Sequence, residues 1–332
     1  MTEARYHVVA IGNAIVDIIG RCDDAFLAKH GAPKGHMRLV DAGTSAALYA
    51  DMGPAIEMSG GSAANTVVGV ASFGGRAAFI GKIANDEFGR IFRHDIKASG
   101  VAFETEAVAN KAPTSRSLIL VTPDGERTMN TFLGISTDLD HGEVREDLIA
   151  ASSIVYLEGY LFDRPEAKAA FRQAAAIAKK AGRRVALTLS DGFCVDRHRD
   201  EFRALIRDDV DILFANESEI TSLYQTSSFD DAARRAASDT TLAVLTRSAA
   251  GSLILSAGTS IPVPAKPVAR VVDTTGAGDL YAAGFLYGLT AGLPLDVAGR
   301  LGSLAAAEII SHVGARPETR LDKLARETGL MK

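Results

Sequence analysis

Short apolar runs alternate with longer stretches of helical periodicity along this chain. Residues 7–12 (HVVAIG) are apolar at consecutive positions and β-branched, the pattern of a strand buried on both faces, and Gly12 closes the run. Similar runs recur at Ala77–Ile80, Ile154–Leu157, Val185–Leu189, Ile212–Phe214 and Leu242–Leu245. Between them, Ala63–Ser72, Pro165–Ala181 and Asp230–Ser238 carry helical patterns. Strand then helix, repeated, predicts a parallel sheet covered by helices on both faces.

Two stretches break that rhythm. His36–Asp41 is a short strand-like piece, and Ser115–Thr122 with Arg127–Leu133 form two runs joined by Pro123-Asp124-Gly125-Glu126. Asp-Gly between two such runs is a hairpin signal. Hairpins inserted into an α/β chain often form a flap over a cleft, so the pattern predicts one α/β domain with a small β lid. No repeat, low-complexity linker or charge block interrupts it.

Composition adds exclusions. The 332 residues are 47% hydrophobic and 23% charged, which excludes disorder as the main theme. A net charge of -5 argues against a nucleic-acid binder. Leu280–Leu295 is apolar but interrupted by Gly284, Gly288, Gly292 and Pro294, and it falls short of the roughly 20 residues a membrane span needs. It predicts a buried core helix. Cys22 and Cys194 form no CxxC pair, and the first residues lack a secretory pattern, so the expected location is cytoplasmic. The 31 glycines point to places where the backbone turns sharply or approaches a ligand.

The strongest local signal is ARVVDTTGAGDLYAAGFLYG, residues 269–288. Glycines at a helix start expose backbone N–H groups with the positive end of the helix dipole behind them, a natural pocket for phosphate oxygens. Asp279, in the first turn, would face the same point and accept a proton from a hydroxyl. An acid beside an anion hole suits phosphoryl transfer to an alcohol. A plain cap, with Asp279 only stabilising the dipole, is the competing reading. The dinucleotide fingerprint fails at Tyr281, and a Walker-type loop fails at Gly75-Arg76.

Three further stretches offer polar groups. Met58–Thr66 enters a helix through small residues, with Asn65 in its first turn; tight helix-to-sheet packing is the alternative. Gly12–Asp17 lies at the carboxyl end of the first strand, where ligands of open α/β sheets bind, and its Asn13 and Asp17 suit vicinal hydroxyls. Asn216 and Glu219 follow the strand at 212–214 and could position hydrated Mg²⁺, although Asn-x-x-Glu is also a capping box. The seven histidines show no metal spacing.

With these residues in view, the chain resembles the ribokinase-like (PfkB-type) carbohydrate kinases. DTTGAGD (273–279), GGSAANT (60–66) with FGGRAAFIGKIANDEFG (73–89), NESE (216–219) and GNAIVD (12–17) carry the resemblance, in the family's order and across nearly the whole chain. It implies a three-layer αβα sandwich with a mostly parallel central sheet. The large domain would hold residues 1–20, 55–103 and 136–332, and the β lid residues 21–54 and 104–135. It implies Asp279 as catalytic base with Gly276, Ala277 and Gly278 as anion hole, and Asn13, Asp17, Gly60, Gly61 and Asn65 around the substrate hydroxyls. Asn216 and Glu219 would act on Mg²⁺, through water. ATP would lie near Asn216, Thr246, Gly251, Thr274, Gly276, Gly278, Ala305 and His312, with K⁺ as activator through carbonyls around Asp273.

Within the family, VDILFANESE (210–219), SIVYLEGYLF (153–162), LTLSDGF (187–193) and SLAAAEIISHVGARP (303–317) look most like the adenosine kinases. Met37, Phe132, Leu133 and Tyr160 would supply an apolar slot for a base, and Arg127 aligns with a lid arginine that approaches phosphate. The expected activity is transfer of phosphate from ATP to the 5′-hydroxyl of adenosine. The alternatives are a kinase for ribose, fructose or a related sugar and a non-catalytic nucleoside sensor, which would have no need of the acid in DTTGAGD. The expected partners are small molecules, with no nucleic acid and no membrane; the chain would be a monomer or a homodimer.

Overall fold

The computed structural model describes residues 4–332. In chain order the first strands are β1 (Tyr6–Ile11), β2 (Ile15–Arg21), β3 (Met37–Leu39), β4 (Ala55–Gly60) and β5 (Ala77–Ile80). Next come β6 (Val101–Phe103), β7 (Ser115–Val121), β8 (Arg127–Phe132) and β9 (Ser152–Glu158). The last are β10 (Arg184–Thr188), β11 (Ile212–Asn216), β12 (Leu242–Thr246), β13 (Ser252–Ser256) and β14 (Thr259–Val263). The larger sheet runs β14-β13-β12-β11-β10-β9-β1-β5-β6, parallel from β12 to β6, with β13 and β14 added as an antiparallel hairpin.

Alternate residues of one strand feed two separate cores, which is why the runs are apolar throughout. Val8 and Ala10 pack with Phe79, Tyr156 and Phe285, whereas Val9 and Ile11 pack with Ile80, Leu157 and Phe171. All four β1 side chains are fully buried, so both faces of the sheet are covered by helices. Leu280–Leu295 forms most of the helix Ala277–Thr290 and the turn after it, and Leu280 and Phe285 are fully buried. No described helix is long and apolar enough to cross a membrane. At Gly284 a Cβ would lie 2.5 Å from the Leu301 backbone, so glycine sets how closely this helix approaches its neighbour Leu295–Ile309.

The second sheet runs β3-β8-β7-β2-β4. Its β7–β8 hairpin follows the predicted turn, with Gly125 at φ +87. The sheet takes in more than the sequence pattern predicts. Residues 15–20 and 55–60, expected in the large body, are β2 and β4 of the small sheet. The pair Val271-Val272 belongs to no strand and is exposed. Instead, the Val272 amide donates to the Ile310 carbonyl at 2.8 Å, tying this loop to the C-terminal segment.

Candidate functional site

The parallel strands end on one edge of the sheet, and the chemistry-bearing residues collect there. Asn13 follows β1, Glu158 ends β9, and Asn216 ends β11 in register with Thr246 of β12. The helix Ala277–Thr290 starts at Gly276, whose φ of +77 makes the turn into it without a side-chain cap. The Ala277 amide is already given to the Thr274 carbonyl at 3.2 Å. An anion at this helix end therefore meets the amides of Gly276 and Gly278 before that of Ala277. Gly278 is exposed, with open space where a side chain would stand.

Asp279 lies in the first turn of that helix. Its carboxylate accepts from Ser62 Oγ at 2.6 Å and from Asn65 Nδ2 at 2.9 Å. The GGSAANT and DTTGAGD stretches, more than two hundred residues apart, thus meet at one carboxyl group. Burial raises the Asp279 pKa, while the two hydrogen bonds and the Arg316 charge oppose the rise. Asn65 has its Oδ1 buried with no partner, an acceptor turned to nothing in the protein. Asp17, on β2, is pushed up to about 6 by burial, against Arg316 and Arg127 and together with the like charge of Asp279.

The glycines before the helix Ser62–Ser72, which carries Asn65, are dictated by contact. A Cβ on Gly60 would stand 2.3 Å from Asp17 Oδ2, and one on Gly61 2.2 Å from the Asn13 carbonyl oxygen. Asn13 is 2% exposed and engaged on both sides, donating through Nδ2 to Glu158 at 2.7 Å and accepting from Ser136 Oγ at 2.8 Å. Glu158, absent from the sequence-predicted set, holds the Asn13 side chain and backbone and also accepts from the Ala63 amide at 2.8 Å. An acid at the last position of an apolar strand, as in SIVYLE, is the one signal that marks it.

Arg127, from the lid hairpin, donates through Nη1 to Thr275 Oγ1 at 2.7 Å and pairs with Asp273. Its Nε and Nη2 are buried without partners, leaving two donors near the start of the helix Ala277–Thr290. Asp273 in turn accepts from the Thr275 amide at 3.0 Å and the Gly314 amide at 2.9 Å.

Other predicted positions are not gathered here. The strand pleat turns Phe132 away from the face that carries Asp17, Arg127 and Met129, and its ring lies under Arg116 instead. Met37, exposed and paired with Met129, is on the Asp17 face. Leu133 is half-buried, and its carbonyl accepts from Ser136 Oγ at 2.7 Å. Tyr160 is on the strand-end rim, its amide held by Ser190 Oγ at 3.1 Å. Thr274 is exposed, whereas Ala305 is fully buried in the core and offers nothing to a nucleotide. Gly251 makes a left-handed turn against the Val263 carbonyl, and His312 lies 3.2 Å from Glu308.

Asn216 and Glu219 close a capping box. Glu219 accepts through both oxygens from Asn216, at 2.5 and 3.0 Å, and returns its amide to Asn216 Oδ1 at 2.9 Å. Among the described residues no group of three or more His, Cys, Asp or Glu could hold a metal ion. A pair already spent on capping does not fit a directly bound Mg²⁺.

Three buried acids make stability depend on pH. Burial pushes Glu158 and Glu219 up to about 7 and Asp17 up to about 6. A raised folded pKa means the native state holds the proton more tightly, so this stability is full below the ordinary carboxylate range and is lost as pH rises through the folded value. The calorimetric Tm is expected to fall between about pH 4.5 and 7 from these groups. Glu158→Gln should flatten the slope; a slope identical to that of the unaltered protein would exclude Glu158 as its source.

Residues 57–321 match the model of the pfkB family carbohydrate kinases. The structure of adenosine kinase from Sinorhizobium meliloti is 52% identical, with a TM-score of 0.90 over 98% of this chain and 100% of that one. That of a probable sugar kinase from Rhizobium etli CFN 42 is 49% identical, with a TM-score of 0.91 over 99% and 100%. The adenosine kinase of Saccharomyces cerevisiae is 27% identical, covering 92% of this chain and 95% of its own length. With the family model spanning most of the chain and these matches running nearly its whole length, the chain belongs to the pfkB family of carbohydrate kinases and is a phosphotransferase acting on a hydroxyl group.

Proposed function

We propose that the protein transfers the γ-phosphoryl group of ATP to the 5′-hydroxyl of adenosine, giving AMP and ADP. The observation that carries the chemistry is the Asp279 carboxylate. It is fixed by Ser62 and Asn65 at an open helix N-terminus, beside a buried Asn65 oxygen that has no partner. A hydroxyl placed there gives its proton to Asp279 as its oxygen attacks phosphorus in line, while the Gly276 and Gly278 amides and the helix dipole hold the charge on the phosphoryl oxygens. The two unpartnered Arg127 donors would meet the same oxygens from the lid side. Asp17 and the Asn65 oxygen accept from the ribose hydroxyls. Mg²⁺ would enter with the nucleotide phosphates and supply charge neutralisation.

The base is the finer question. Met37 and Met129, adjacent on the Asp17 face of the lid, provide adaptable apolar surface for a purine. The 52% identity to a protein described as an adenosine kinase supports the same choice. A kinase for a free sugar is the second reading, favoured by the probable sugar kinase at 49% identity. A coupled assay of ADP release across adenosine, inosine, ribose and fructose separates the two. Adenosine is expected to give the highest kcat/KM; a higher value for ribose or fructose sinks the nucleoside assignment and leaves the kinase intact.

A further inference from the structure

Arg316 lies in the C-terminal loop, inside the 303–317 stretch, but in none of the sets of candidate site residues read from the sequence. Its guanidinium donates through Nε to the Ser59 carbonyl at 2.9 Å, through Nη1 to the Ala64 carbonyl at 3.0 Å, and through Nη2 to Ser59 Oγ at 2.8 Å. Ser59 is held in turn by Asp95, which accepts its amide at 2.8 Å and its hydroxyl at 2.6 Å. One side chain thus grips both sides of the Gly60-Gly61 turn: the end of β4 and the first turn of the helix Ser62–Ser72. The loop that carries it backs the anion hole. The Gly314 amide binds Asp273, and a Cβ added at Gly276 would stand 3.0 Å from the Ala315 Cβ.

The guanidinium spends its donors on neutral oxygens, so its charge is left to act on the acids around it. Those are Asp95, Asp17 and Asp279. Asp17 and Asp279 repel each other's ionisation, and a site with two carboxylates loses one charge unless a cation offsets the pair. Ser62 and Asn65, from one helix, bond Asp279, and its charge also acts on Tyr156 and Glu158 of β9, on Tyr160 just after that strand, and on Glu219. Arg127 faces Asp17 but is already paired with Asp273.

We propose that Arg316 is a positioning residue that locks the substrate-side turn to the anion-hole loop and keeps Asp17 and Asp279 ionised together. The proposal rests on Asp279 being the base. The test is the pH profile of kcat, with KM for adenosine, in Arg316→Gln and Arg316→Lys, with Asp279→Asn measured alongside and folding checked by urea midpoint. Loss of the cation raises the pKa of a group that must be ionised, so in Arg316→Gln the acid limb should move to higher pH. In the same variant kcat/KM should fall about 10²-fold, the scale of a misplaced substrate. Arg316→Lys keeps the charge but not the fork, so it should restore the acid limb and leave KM raised.

An unmoved acid limb in Arg316→Gln, or a limb that Lys fails to restore, overturns the electrostatic role. An unchanged KM in both variants overturns the lock. Should Arg316→Gln fail to fold, Arg316→Lys decides: a wild-type limb with raised KM supports the proposal, and any other pairing overturns it. Full turnover in Asp279→Asn would instead locate the failure in the base assignment.

Discussion

Asp279→Asn is expected to lower kcat by about 10²–10⁴-fold, the usual worth of a general base, with the Kd for the nucleoside nearly unchanged. The substitution keeps size and shape. Ser62 still finds an oxygen, but the new amide faces the Asn65 Nδ2 that now donates to Asp279. Asn65 must flip, turning its unpartnered oxygen inward to accept the new N–H and presenting its Nδ2 to the substrate, whose hydroxyl can accept from it as readily as it donated to the oxygen. The hole and the helix dipole are untouched, so phosphate affinity survives while the proton has nowhere to go. Single-turnover kinetics with equilibrium binding measured on the same variant would separate these effects. Turnover near wild type would remove Asp279 from the chemistry and leave it as a cap.

Gly61→Ala should produce the largest loss of stability, together with loss of binding. Gly61 has φ +98 and ψ 142, a region essentially reserved for glycine. Backbone strain there costs about 1–3 kcal/mol. The new methyl would also stand 2.2 Å from the Asn13 carbonyl oxygen, and backbone on backbone has no rotamer to yield. Overpacking of that kind adds about 1–3 kcal/mol. Against a total stability of about 5–15 kcal/mol, the sum is a large fraction. Urea denaturation should show a lowered midpoint, and KM for the nucleoside should rise because Asn13 and the first turn bearing Asn65 are both displaced. A midpoint within error of the unaltered protein would mean the turn relaxes without cost.

Much of the large sheet is readable without coordinates, because strands buried on both faces leave uninterrupted apolar runs. Ala77–Ile80 appears in the sequence with the same bounds it has in the fold. The small sheet is harder to see. Only three residues separate the end of β1 from the start of its β2, and nothing in Ile15–Arg21 marks the change of sheet. Its edge strand β4 exposes Ile56, so the contrast between inside and outside that reveals a strand is weak.

The candidate site divides in the same way. Glycine-rich helix starts announce themselves by composition, and the meeting of Asp279 with Ser62 and Asn65 follows from both lying at the same end of the fold. The face of a lid residue is another matter. Phe132 and Thr131 are neighbours in sequence, and only the register with β7 tells which one looks toward Asp17. Glu158 and Arg316 escaped notice for a different reason. A charged residue in a sequence is presumed wet, and nothing local indicates that its partners lie at Asn13, Ser59 or Ala64.

The links between the two sheets are very short. Three residues, Gly12 to Ala14, join β1 to β2, and Gly61 alone separates β4 from the helix that follows. Asn13 is therefore mounted on a link itself, while Asp17 stands just beyond it on β2 and Asn65 in the first turn of the helix after Gly61. A ligand held by residues on both sides of these links would couple its occupancy to the angle between the sheets, any difference in affinity between angles acting as torque on the small sheet. A free pentose presses only on the joint. Under the proposed function a nucleoside would press on the joint through its ribose and on the small sheet through its base, a lever arm that the pentose lacks.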